Sequence, residues 1–134
     1  MIMAWGGTLN LILFLISMLG LGYYAYLSVL SPNTIVTRYD LGEKSVPIIR
    51  IIGTFVLPLF IIGIYLLFRG PQGAWIFLVL NFLISTCQVI LGWATRLKII
   101  DPDAKQDVGD EVVGHVFVAI AVILIFRLSD TIYT

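Results

Sequence analysis

Charge is scarce in this chain. Only 12% of its 134 residues are Asp, Glu, Lys or Arg, and the formal net charge is zero. A soluble domain carries about twice that share. No basic tract offers a footprint for nucleic acid, and no acidic tail forms a solvated arm. Cysteine is scarcer still. Cys87 stands alone, which excludes an internal disulfide and any cysteine-built metal or cluster site. It lies in an apolar run and reads as a small buried hydrophobe. Histidine is also single, at position 115. Metal hydrolysis sites need more ligands than this. No glycine-rich loop is built to cradle a phosphate. No catalytic residue is assigned, no metal site is expected, and an autonomous enzyme is not expected.

Apolar residues are what the chain has in plenty, at 60% of the sequence. A chain this short cannot hide so many from water, because small domains leave much of their surface exposed. Lipid must cover the excess. A helix crosses the bilayer core with roughly 20 apolar residues. Four segments meet that length, at about 4–30, 46–68, 73–95 and 112–132. Ser31-Pro32-Asn33 stops the first, Arg69-Gly70-Pro71 the second, and Arg96 and Lys98 bound the third. Helices satisfy their backbone polar groups internally, as lipid demands. A β-barrel would show short alternating strands, and these runs are apolar on nearly every side. The expected fold is an all-α integral membrane bundle of four transmembrane helices, up-down-up-down, forming a single domain over 1–134. The first apolar stretch is longer than a signal-peptide core and reads as a retained helix.

The connections differ in kind. Residues 33–45 read as a polar loop of moderate length. Residues 69–72 form a tight turn, so the second and third helices are expected to be antiparallel neighbours. Residues 97–111 carry the most charge. Of the eight Lys and Arg residues, Arg38, Lys44, Arg50, Arg96, Lys98 and Lys105 fall on the first and third loops or the helix ends beside them; only Arg69 and Arg127 fall on the other side. The bias of cytoplasmic loops toward Lys and Arg then places both termini on the non-cytoplasmic side. The expected location is the bacterial inner membrane. Trp5 and Trp75 fit one interfacial belt; Trp93 with Tyr23, Tyr24 and Tyr26 fits the other.

Polar residues within a span are costly and need an account. Asn81, Ser85, Gln88, Gly92 and Thr95 fall on one face of the third helix. Gly6, Asn10, Ser17 and Tyr24 form a sparser face on the first. Asn10, Ser17, Asn81, Ser85 and Gln88 read first as a packing face, where small residues let helices approach and amides bond across the seam. The other reading is a polar lining for a ligand or substrate path. Arg50 lies about one turn into the second helix, in line with Thr54, Leu57, Ile61 and Tyr65. It either snorkels to the interface or pairs with an acid or an anionic headgroup. Pro58 removes a backbone donor mid-helix, and a kink is expected. Glu111 and His115 are one turn apart on the fourth helix. Such a pair fixes a histidine tautomer and poises a proton acceptor. With Arg50 they make the candidate ligand set, for a quinone and less readily for a haem axial position; the plainer reading is an interfacial histidine. Arg127 and Asp130 are expected to pair locally, with Arg127 reaching the outer surface.

The third loop starts like a calcium loop at Asp101 and Asp103, but Lys105 and Gln106 break the pattern. Helix capping suits it better, with Asp107 as N-cap and Asp110 and Glu111 at the positive helix end.

The first span ending at Ser31-Pro32, Arg50 opening the second with Gly53 after it, Gly63, the turn Arg69-Gly70-Pro71 and Arg96 closing the third form a layout that loosely resembles the DoxX-like group of small bacterial membrane proteins. The resemblance implies a four-helix membrane unit, sometimes associated with quinone-linked redox proteins. It transfers no catalytic residue. The function expected from the sequence is an accessory or structural subunit that packs, within the lipid bilayer, against other subunits of a larger membrane complex. The alternatives are a quinone-binding redox unit near His115, Glu111 and Arg50, or a small lipid or solute carrier that uses Pro58 and the polar face of the third helix.

Overall fold

A computed structural model describes residues 1–105 and 108–134, and of Val108 the backbone alone. Among the described residues the secondary structure is helical throughout. Four helices, α1 (Thr8–Val29), α3 (Val46–Arg69), α4 (Trp75–Arg96) and α5 (Val108–Arg127), are long and apolar enough to cross a membrane. This is the all-α four-helix bundle of an integral membrane protein. Two shorter helices, α2 (Pro32–Tyr39) and α6 (Ser129–Ile132), complete the chain.

Local chemistry sets the ends. The first span starts later than residue 4. A 3-10 turn covers Met3–Trp5, and Gly6 (φ 65°) and Gly7 (φ 128°) then take positive-φ conformations that glycine adopts most readily. Residues 33–45 are not simply a loop. Pro32 opens a helix, where its missing N–H is no loss, and Asp40 ends that helix in the left-handed region. The fourth span starts earlier than residue 112 and stops at Arg127. The chain turns at Leu128, and Ser129–Ile132 then forms the short α6. The capping role read for Asp107 lies outside the described residues. The helix runs through Pro58 as one element.

The helices pack as two pairs, α1 with α3 and α4 with α5, and α1 joins the pairs through α5. The tight turn between α3 and α4 does not make them close neighbours along their length. Their order in space is α3, α1, α5, α4. Glycines set the close approaches. A Cβ on Gly53 would lie 2.6 Å from Val29 Cγ2, and Phe117 of α5 sits directly against Gly20 of α1.

The largest apolar cluster is off-centre, and a smaller set, Ala25, Leu27 and Ile49, is buried nearer the other end. Trp5, Phe14, Met18, Leu66, Phe77, Leu124, Leu128 and Ile132 all lie toward the α3–α4 turn, which we term the turn end. Trp5 is fully buried, its ring centroid 4.2 Å from that of Phe14, and its indole N–H donates to the Leu67 carbonyl at 3.4 Å. The interfacial belt expected for Trp5 is therefore wrong: a core beneath the turn holds the ring. Trp75 is exposed beside Tyr133. Beyond Leu78, α4 buries no residue. The opposite end, which carries the connection that begins at Leu97, is the loop end.

Candidate functional site

The polar side chains gather at the loop end. Trp93 and Arg96 on α4 face Glu111 and His115 on α5. Arg96 Nη1 donates to Glu111 Oε1 at 2.9 Å. His115 Nδ1 lies 2.7 Å from the Glu111 carbonyl, and Trp93 Nε1 lies 3.1 Å from His115 Nε2. A carbonyl only accepts and an indole N–H only donates. Both contacts are met by a single arrangement, a neutral imidazole with its hydrogen on Nδ1. The Glu111 carboxylate thus turns to Arg96, and its backbone oxygen orients the histidine. The side-chain pairing expected between Glu111 and His115 is corrected accordingly.

This geometry limits the chemistry. Both ring nitrogens of His115 are engaged, so an iron or a quinone oxygen at Nε2 has to displace Trp93. Nearby, Arg38 on α2 lies 3.7 Å from Asp110 at the start of α5. Both side chains are part-exposed, and such a pair contributes on the order of 0–1 kcal/mol. No group of three or more His, Cys, Asp or Glu that could hold a metal ion occurs among the described residues.

Arg50 does not join this cluster. It is exposed on α3 and makes no hydrogen bond or ion pair among the described residues. The three candidate ligand residues therefore divide, with His115 and Glu111 together and Arg50 apart.

The two polar stripes divide as well. Asn10 is buried, and its Nδ2 donates to the Trp5 carbonyl at 2.9 Å. Its Oδ1 accepts from Arg127 Nε at 2.6 Å. Arg127 thus ties α5 to α1. The local pairing expected with Asp130 does not form. Ser17 is half-buried and makes no side-chain hydrogen bond among the described residues. On α4, Asn81 Nδ2 donates at 2.8 Å to the Phe77 carbonyl of its own helix, not across a seam. Ser85 is half-buried and Gln88 exposed. Cys87 is exposed too, so the buried position expected for it is corrected: α4 presents this face to lipid.

Sequence reasoning missed the roles of Trp93 and Arg127. Their partners are 22 and 117 positions away, and no local spacing signals a contact across helices. Comparison with protein-family models, with curated proteins and with solved structures finds no match.

Proposed function

We propose that this protein is an accessory subunit that packs the polar face of α4 against another membrane-spanning subunit. One observation carries the reading. Gln88 lies within an apolar span, is exposed, and makes no hydrogen bond among the described residues. Lipid tails offer an amide nothing, and an unsatisfied polar group there costs several kcal/mol. A neighbouring helix with polar groups supplies what lipid cannot. Ser85 and Gly92 lie on the same face, and a Cβ on Gly92 would meet no atom of the described residues within 4 Å. The face is small enough for close approach, and α4 is the least buried of the four spans.

The setting proposed is the bacterial inner membrane, with the loop end in the cytoplasm and both termini on the other side. The Lys and Arg distribution supports this orientation. The closed hydrogen bonding around His115 favours the subunit reading over a quinone or haem site.

The test is extraction from the native membrane in mild detergent, followed by a native gel and mass spectrometry of the band. The wild-type chain is expected to migrate within a larger assembly. Gln88→Leu is expected to migrate alone while keeping its helical circular dichroism. Wild-type chain that runs alone, or a Gln88→Leu chain that stays in the assembly, would overturn the reading.

A further inference from the structure

Arg50 and an apolar groove share one face of α3. The groove, about 240 Å³, runs between α1 and α3 and is lined by Gly22, Ala25, Tyr26, Val29, Leu30, Leu57 and Phe60. They belong to the loop-end half of α1, to Leu30 that caps it, and to the central part of α3. Gly22 shapes the groove: a Cβ there would lie 2.6 Å from the Phe60 ring, so only glycine lets that ring settle against α1.

Arg50 precedes Leu57 by seven residues. At 100° per residue the two directions differ by about 20°, and at 1.5 Å per residue they are about 10 Å apart along the axis. The guanidinium therefore lies on the groove's own line, nearer the loop-end surface. Its sequence neighbours Ile48, Ile49, Ile51 and Ile52 are apolar. The acids of the preceding segment, Asp40 and Glu43, make no ion pair with it among the described residues. A cation without a partner at the edge of hydrocarbon calls for an anion, and the planar guanidinium suits a phosphate through paired hydrogen bonds.

We propose that Arg50 and the α1–α3 groove bind one anionic glycerophospholipid from the leaflet at the loop end. The phosphate lies on Arg50, the glycerol spans the next turns beside Thr54, and one acyl chain enters the groove at Leu57 and Phe60. The charge selects the headgroup. The groove selects a molecule that carries a chain over a free phosphate. A neutral quinone leaves the guanidinium unmatched. The site is separate from the α4 face and does not depend on the subunit reading.

The experiment is native mass spectrometry of the purified full chain in mild detergent. It is titrated with phosphatidylglycerol, with phosphatidylcholine of identical chains, and with glycerol phosphate, which has no chains. The wild type is expected to retain one phosphatidylglycerol, about fivefold more firmly than phosphatidylcholine, as one basic residue near an anionic lipid predicts. Glycerol phosphate is expected not to bind. Arg50→Gln, a change at an exposed side chain, is expected to abolish the preference between the two lipids. Leu57→Trp, which fills the groove, is expected to lower retention of both. Equal retention of both lipids by the wild type overturns the proposal, as does an undiminished preference in Arg50→Gln. Binding of glycerol phosphate as tight as that of the lipid overturns the groove's part.

Discussion

Asn10 shows how much one amide can hold. Its nitrogen secures the Trp5 carbonyl and its oxygen secures Arg127. Replacing it with Leu keeps the volume and leaves both partners unmatched. Loss of a hydrogen bond to a buried group costs about 1–3 kcal/mol. Asn10→Leu is therefore expected to lower the thermal midpoint in detergent by several degrees, followed by circular dichroism at 222 nm. Ser17→Ala is expected to shift it little, because Ser17 makes no side-chain hydrogen bond among the described residues. The sequence places both residues on one stripe. Period alone marks Asn10 as a packing residue but does not distinguish it from Ser17, because the difference lies in Arg127, on another helix. His115 follows the same logic. Its closeness to Glu111 is visible in the spacing, but the choice of the Glu111 carbonyl over its carboxylate depends on Arg96 of α4.

Helix against helix, the glycines set the spacing, and not all of them do the same work. Gly53 meets the Val29 side chain and the Ser28 backbone, so an added methyl has little room. Gly53→Ala is expected to destabilise the α1–α3 pair by about 1–3 kcal/mol, the range for overpacking. A Cβ on Gly92 would meet no atom of the described residues, and Gly92→Ala is expected to leave the isolated chain unchanged or to stabilise it by up to about 1 kcal/mol through helix propensity. Melting the two variants side by side checks the opposite signs. The four spans were legible because apolar runs bounded by Pro, Gly and charge leave little choice. The short α2 was not, because its polar composition looks like a connection until Pro32 and Asp40 are seen to open and close a helix. The separation of α3 from α4 was also hidden. A four-residue turn fixes where two helices meet and leaves free how far they diverge.

Taken whole, the α3–α4 turn and the connection that begins at Leu97 are separated by the single span α4, so they lie on opposite faces of the membrane. Labelling with a membrane-impermeant maleimide checks the orientation. Gln72→Cys, at the exposed turn, is expected to react in intact cells. Lys98→Cys is expected to react only after permeabilisation. Cys87 lies mid-span toward lipid and is expected to stay silent in both. The reverse pattern would invert the orientation. Net composition foretold the membrane, and the Lys and Arg count foretold a direction to test. Neither foretold that the core would lie at one end, because hydrophobicity in a membrane span does not separate residues that face lipid from residues that face a helix.

That lopsided core has a mechanical meaning. At one membrane surface the two helix pairs are joined by interlocked rings and branched side chains and by the Arg127–Asn10 hydrogen bond, with no ion pair among the described residues for salt to screen. At the other, a 3.7 Å contact between Arg38 and Asp110 spans them, and ions weaken such a contact. Apolar packing joins the helix pairs in one leaflet, and a surface ion pair bridges them in the other. Raising the ionic strength at the loop end is expected to weaken the Arg38–Asp110 contact and to leave the turn-end cluster unchanged.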